Sequence, residues 1–212
     1  MRESEIKSAV KEFWRARKRG TQSDSHPKAF LDLIATDLAR EGWTDVAVKK
    51  KGGKKRITIG GYFRPAKEWD LVCWDGDEPQ IAIELKTQAD SYGNNENNRY
   101  EEALGNALDV RARYGKRIGL GFVFVICDEE KSQRITKPRV PDPDPAFEGS
   151  SHVTRRVIFA RRIIDYKLRQ APLYDAAAVL TIRRDGSYQH PEDGDLGLIN
   201  FAAAVTKGRT PV

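Results

Sequence analysis

Two acidic residues and a lysine stand at the spacing of a metal-dependent hydrolytic site. Asp70 begins an apolar run, and Glu84 and Lys86 follow after a turn, separated by Leu85. Side chains alternate along a strand, so Glu84 and Lys86 share one face while Leu85 points into the core. Two carboxylates suit Mg²⁺, which prefers oxygen ligands, and a metal ion acidifies an attacking water. The lysine can orient that water and stabilise negative charge. This set predicts phosphodiester hydrolysis.

The same pattern has a plainer interpretation, in which Glu84 and Lys86 lie on the solvent face of an exposed strand. Lys86 follows the apolar run Ile81-Ala-Ile83, where a charge without a role is unusual. That position favours the catalytic interpretation.

The elements around these residues predict an α/β fold. Apolar runs at 69–74 and 80–85 flank the turn sequence Asp75-Gly-Asp-Glu-Pro79, so a hairpin brings Asp70 beside Glu84. Apolar spacing elsewhere predicts helices over 4–19, 27–41, 98–114, 153–169 and 196–205, a hairpin of 46–48 with 57–59, and strands over 118–127 and 176–182. We expect a single domain over 1–212, a mixed β-sheet flanked by helices. Its parts are a basic helical part (1–56), a catalytic core (57–130) and a helix-strand-helix part (151–207).

An asparagine-rich segment follows the catalytic strand. Asn pairs bidentately with adenine and Arg with guanine in the major groove. We therefore expect DNA-base contacts from Asn94, Asn95, Asn97, Asn98 and Arg99. The alternative is a turn in which Asn97 or Asn98 caps the next helix. Glu101 and Glu102 are expected in the first helical turn, where acidic groups interact favourably with the helix dipole.

The stretch 84–107 resembles the XhoI family of type II restriction endonucleases, in which an ExK element runs into S-[FY]-G-N-N-x-N-N-R-x-E-E-A-L-G. Here that segment is Ser91 to Gly105, with Glu96 and Tyr100 in the variable positions. The resemblance implies a PD-(D/E)xK restriction-endonuclease-like core, Mg²⁺, a homodimer and a palindromic DNA target, with CTCGAG as the first candidate. Its catalytic set is Asp70, Glu84 and Lys86, and its metal contacts are Asp70, Glu84 and Leu85. Trp69 stands where the superfamily has proline.

The positive charge of the chain is concentrated in its first quarter, a distribution that suits a polyanionic partner such as DNA. The formal net charge is +6, and residues 1–56 carry the whole excess, with 15 Lys/Arg against 8 Asp/Glu. The cluster at 49–56 suits phosphate contacts, so we expect it to bind double-stranded DNA through Lys50, Lys51, Lys54 and Lys55. A flexible solvated loop is the alternative.

Other features exclude some function classes. Cys73 and Cys127 form no CxxC pair, which argues against zinc and suits buried thiols in the cytoplasm. The three histidines show no nuclease motif, and no apolar run has membrane-spanning length. The remaining alternatives are a repair or nicking nuclease of the same fold, a non-catalytic DNA-binding protein, and an RNA-binding α/β protein, which no RNP-type aromatic motif supports.

Overall fold

A computed structural model of the chain describes residues 1–18, 27–49, 56–90, 92–93, 96–133, 146–147, 149–168 and 170–211. Within these ranges the α-helices are α1 (Glu3–Lys18), α2 (Lys28–Arg40), α3 (Glu96–Tyr114), α4 (His152–Asp165) and α5 (Phe201–Thr206). The strands are β1 (Val46–Val48), β2 (Thr58–Ile59), β3 (Lys67–Glu68), β4 (Leu71–Asp75), β5 (Glu78–Gln88), β6 (Gly119–Cys127), β7 (Lys167–Leu168), β8 (Ala171–Pro172), β9 (Ala176–Ile182) and β10 (Tyr188–Gln189). Short 3₁₀ turns occupy Glu130–Gln133, Gly194–Leu196 and Leu198–Asn200.

A mixed sheet forms the centre of this described part of the chain, with six strands in the order β1-β4-β5-β6-β9-β10. The pairs β1–β4, β4–β5 and β9–β10 are antiparallel, whereas β5–β6 and β6–β9 are parallel. Parallel neighbours need a crossover connection, and α3 and α4 supply the two crossovers. The predicted mixed sheet flanked by helices is confirmed.

Helices cover both faces of the sheet. Alternate residues of β5 enter two separate cores: Ile81, Ile83 and Leu85 pack with α1, α2 and α5, whereas Ala82 packs with α3 and α4. All nine residues of β6 are buried, as expected for a central strand covered on both faces. Glu84 and Lys86 alternate with Leu85, so they lie on the α3 side of the sheet.

The predicted hairpin of 46–48 with 57–59 is wrong. β1 pairs with β4, and β2 pairs instead with β3. Leu71, Val72 and Cys73 of β4 are fully buried, so their backbone groups need partners on both sides. β5 supplies one side and β1 the other.

Several predicted element boundaries differ from the structure. α4 ends at Asp165 rather than 169, because the chain turns there into the β7–β8 hairpin. The last predicted helix over 196–205 begins as two 3₁₀ turns, separated by an extended Gly197, before α5. Asp70 lies just before β4 instead of inside the strand. The hairpin of 69–74 with 80–85, the strand over 118–127 and the strand over 176–182 are confirmed.

Candidate active site

The β4–β5 hairpin holds Asp70 against the strand that carries Glu84 and Lys86. The backbone N–H of Asp70 donates to the carbonyl of Ile83 over 3.2 Å. Just before the first residue of β4, the Asp70 side chain extends the hydrogen-bond ladder, because the Leu85 N–H donates to its Oδ2 over 2.9 Å. The predicted juxtaposition of the three side chains is therefore present at this end of the hairpin.

Glu84 is a buried carboxylate held by two donors. The residue is 1% exposed. Its Oε1 lies 2.7 Å from Lys86 Nζ, and its Oε2 accepts a hydrogen bond of 2.7 Å from Asn106 Nδ2. Burying a carboxylate is costly unless it is paired and hydrogen-bonded, so these two donors offset the cost of placing Glu84 under α3.

Lys86 bridges two carboxylates. Its Nζ lies 2.7 Å from Glu84 Oε1 and 2.9 Å from Glu102 Oε2. Burial by itself would lower the pKa of the Lys86 ammonium, but Glu84 and Glu102 outweigh it and raise that pKa. The ammonium is thus kept protonated. Glu102 lies in the second turn of α3, because the helix begins at Glu96 rather than 98.

Two further lysines approach the carboxylates. Lys49 Nζ lies 3.8 Å from Asp70 Oδ1, and Lys67 Nζ lies 3.8 Å from Glu84 Oε1. Burial lowers the pKa of Lys67, against the attraction of Glu84. Burial also raises the pKa of Asp70, against the Leu85 hydrogen bond and the nearby Lys49. Asp70 is therefore easier to protonate than an exposed aspartate.

Sequence reasoning missed Asn106 and Lys67 at this site, and it assigned Glu102 to the helix dipole. Glu102 and Asn106 stand four residues apart, so they share one face of α3. The only signal was a polar asparagine next to the helix positions Ala103 and Ala107, which pack into the core. That signal does not reveal which strand residue the asparagine meets.

The predicted DNA contacts are described only in part. Asn97 and Asn98 are exposed in the first turn of α3, so neither caps the helix as the alternative predicted. Arg99 Nη1 lies 3.0 Å from Glu102 Oε2, the same oxygen that contacts Lys86 Nζ. Six predicted contacts lie outside the described residues: Lys50, Lys51, Lys54, Lys55, Asn94 and Asn95.

Glu96, in a variable position of the asparagine-rich segment, is the centre of a buried polar network. His152 Nδ1 lies 2.8 Å from Glu96 Oε2, and Arg156 Nη1 lies 3.1 Å from the same oxygen. Arg156 is fully buried and also donates to Gln88 Oε1 over 2.6 Å and to the Tyr100 hydroxyl over 2.8 Å. The network ties the end of β5 to the starts of α3 and α4.

The site thus joins two carboxylates and an ammonium on a hairpin of a mixed sheet, followed by the asparagine-rich segment. The model of the family described as Restriction endonuclease XhoI matches residues 14–191. The chain belongs to this family. The match extends well beyond the stretch 84–107, and the sheet with its flanking helices is a restriction-endonuclease-like fold.

Three relatives carry the name of a type II restriction enzyme. XhoI of Xanthomonas vasicola is 35% identical over 145 residues, covering 64% of this chain and 58% of the relative. BstVI of Geobacillus stearothermophilus is 31% identical over 150 residues, covering 64% and 66%. AbrI of Azospirillum brasilense is 32% identical over 129 residues, covering 57% and 55%. The chain therefore spans roughly 55–66% of the length of these relatives. No solved structure matches it.

Among the residues that the structure describes, no helix is both long and apolar enough to cross a membrane. Within the same ranges, no group of three or more His, Cys, Asp or Glu side chains is arranged to hold a metal ion.

Proposed function

We propose that this chain is a type II restriction endonuclease, which hydrolyses phosphodiester bonds in double-stranded DNA with Mg²⁺. The observation that carries the proposal is the contact of Glu84 with Lys86 beside Asp70, in a chain of the XhoI family. The relatives' names supply the reaction class, and the charge pairs supply groups able to perform it.

The donor set fits a hard divalent cation. Each carboxylate oxygen has two lone pairs, so Glu84 keeps acceptor capacity beside its bonds to Lys86 and Asn106. In an antiparallel pair, the N–H and C=O of one residue face the same neighbour. The Leu85 N–H faces Asp70, so the Leu85 carbonyl faces the Asp70 side of β5 as well. Asp70, Glu84 and this carbonyl would hold the ion, and water would supply its remaining ligands.

The protein's own groups would divide the chemistry. When bound, Mg²⁺ supplies Lewis-acid chemistry by lowering the pKa of water and offsetting charge on the phosphate. The protonated Lys86 would orient the attacking water and donate to a phosphate oxygen as negative charge develops. Glu102 would hold the Lys86 ammonium toward Glu84.

Recognition of the target is assigned to a different set of residues. We propose that the asparagine-rich segment, with Arg99 at its end, contacts bases, and that the lysines of 49–56 contact phosphates. The first target to test is CTCGAG. A palindrome is read most simply by a two-fold homodimer with one active site for each strand. We propose that this chain forms such a homodimer and acts in the cytoplasm. Light scattering of the free and DNA-bound protein measures its oligomeric state.

Plasmid digestion tests the function. Purified protein is incubated with supercoiled plasmid and Mg²⁺, with EDTA as the blank, and the product ends are sequenced. Discrete double-strand fragments with one end sequence support the proposal. Nicked circles or structure-dependent cuts favour a nicking or repair nuclease, and binding without cleavage in either Mg²⁺ or Mn²⁺ favours a non-catalytic DNA-binding protein.

Matched lysine variants connect the cleavage to the site. Lys86→Ala should lower the cleavage rate by about 10²–10³-fold or more, because the ammonium acts on the transition state. DNA binding in Ca²⁺ and the circular dichroism spectrum should change little. Lys116→Ala removes an exposed lysine after α3 and should cleave normally. Undiminished cleavage by Lys86→Ala would remove this lysine from the mechanism.

A further inference from the structure

Two large aromatic side chains project from the protein in the connection between β2 and β3. Tyr62 is 69% exposed and Phe63 is 68% exposed. Their rings meet edge to face, with centroids 4.9 Å apart and planes at 79°. Exposed apolar groups that lie together mark interaction surfaces more often than single exposed residues do.

The connection that carries these rings is clamped onto α3 by one buried carboxylate. Asp109 is 2% exposed, and its Oδ1 accepts from the Phe63 N–H over 2.7 Å. Its Oδ2 accepts from Arg64 Nε over 2.8 Å, and its backbone carbonyl accepts from the Tyr62 N–H over 3.1 Å. A Cβ at Gly61 would stand 2.1 Å from the Asp109 carboxylate, so only glycine permits this approach. The rings are held out by a fixed backbone.

The clamp lies on the face of α3 that contacts Glu84 and Lys86. Glu102, Asn106 and Asp109 follow at intervals of four and three residues, the spacing of one helix face. Glu102 contacts Lys86, Asn106 contacts Glu84, and Asp109 holds the aromatic connection. With a rise of about 1.5 Å per residue, the clamp lies about 10 Å along the helix from Glu102. The backbone that carries the rings is therefore anchored to the α3 face that contacts the candidate active site.

The stretch of sequence that carries the rings is positively charged. Residues 49–67 contain eight Lys/Arg and no Asp/Glu, and four of these basic residues (Lys49, Arg56, Arg64 and Lys67) lie within the described ranges. On the far side of the rings this stretch reaches Lys67, whose Nζ lies 3.8 Å from Glu84 Oε1. A second copy of the chain would present the same positive segment, whereas a DNA backbone presents the opposite charge.

We propose that Tyr62 and Phe63 stack on bases of the DNA duplex and open a base step beside the active site. This inference rests on the proposed function. Apolar side chains that enter a duplex partly unstack a base step and kink it, and aromatic rings stack on any base. A rigid backbone suits this role, because the rings lose little conformational freedom when they bind.

Fluorescence of 2-aminopurine tests the stacking. Duplexes carry the mapped cleavage site, with 2-aminopurine replacing each adenine in and beside the site in turn, and Ca²⁺ blocks cutting. Wild-type protein should raise the fluorescence at one step. The Tyr62→Ala/Phe63→Ala double variant should abolish that rise and bind the duplex about tenfold or more weakly by anisotropy. Tyr62→Phe and Phe63→Tyr should retain both signals.

Tyr166→Ala is the matched control, since this tyrosine is 59% exposed and lines the groove between α3 and α4 instead. It should leave both signals unchanged. Wild-type binding without any rise in fluorescence, or a double variant that keeps the rise, overturns the proposal. A double variant that keeps the rise but changes from dimer to monomer in light scattering assigns the rings to a contact between copies. Wild-type protein that binds no duplex overturns the proposed function itself, and this inference with it.

Discussion

Asn106 donates from its Nδ2 to Glu84 Oε2 over 2.7 Å, and both residues are almost fully buried. This bond joins the middle of α3 to β5 at the point where the strand carries its carboxylate. It fixes which way the Glu84 oxygens face, because Lys86 holds the other oxygen. A helix residue 22 positions away thus orients a candidate metal ligand.

Replacing Asn106 by Leu should weaken metal binding by about 10–100-fold. The change keeps the size of the side chain and removes the donor, and partners that orient a metal ligand have effects of this order. Isothermal titration with Ca²⁺ and Mg²⁺ measures it. Asn200→Leu is the control, since this exposed asparagine precedes α5 and makes no side-chain capping bond. Equal metal affinity in both variants would show that Glu84 needs no support from Asn106.

Asp70→Asn should stabilise the metal-free protein while abolishing metal binding. Because burial raises the pKa of Asp70, the folded state holds its proton more tightly than the unfolded state does. The resulting stabilisation is complete below the ordinary aspartate pKa and is lost as the pH rises through the raised pKa. Asparagine imitates the protonated aspartate. The variant should therefore be no more stable than the parent at low pH, and its stability advantage should develop as the pH rises through the raised pKa of Asp70.

Denaturant unfolding in EDTA at several pH values measures this difference. The variant and the parent should have equal midpoints at the acidic end, and the variant should have the higher midpoint near neutral pH. A parent that is more stable than Asp70→Asn at neutral pH would mean that Lys49 and the Leu85 hydrogen bond outweigh the cost of burial.

Arg156→Met should destabilise the fold by about 3–5 kcal/mol, because it leaves the buried Glu96 without one of its cations. Chemical denaturation measures the loss. Adding Glu96→Gln should recover part of it, since the remaining group is then neutral. Arg15→Met on an exposed face of α1 should change stability by less than about 0.5 kcal/mol. A loss no larger than that of Arg15→Met would make the network energetically neutral.

Arg99→Ala should cost about 1–3 kcal/mol on the cognate duplex and little on random DNA, if its guanidinium contacts a base. Competition binding in Ca²⁺ at several salt concentrations measures both. Replacing Lys50, Lys51, Lys54 and Lys55 by Ala should weaken all duplexes alike and reduce the salt dependence by up to about 0.9 per lost phosphate contact. Equal losses of Arg99→Ala on both duplexes would identify a phosphate contact or a structural pair with Glu102.

The amino-acid sequence by itself determined the local features of the site. The two-residue period of a strand places Glu84 and Lys86 on one face, and the turn at 75–79 folds Asp70 back beside them. These relationships depend on neighbours in the chain. The family segment at 91–105 is likewise contiguous, so its resemblance could be recognised without a fold.

Only the tertiary structure decided which distant residues complete the site. Asn106 and Glu102 contact β5 because α3 crosses over the sheet. The helical period predicts that the two residues share a face of the helix, but it does not predict which strand that face contacts. β1 pairs with β4, and not with 57–59 as predicted, because the backbone groups along the buried edge of β4 need hydrogen-bond partners. Asp109 could join the aromatic pair to the α3 face that contacts the candidate site only after helix, sheet and loop had packed together. Such contacts depend on how many residues distant in the chain are buried together, and a local sequence pattern carries no information about that packing.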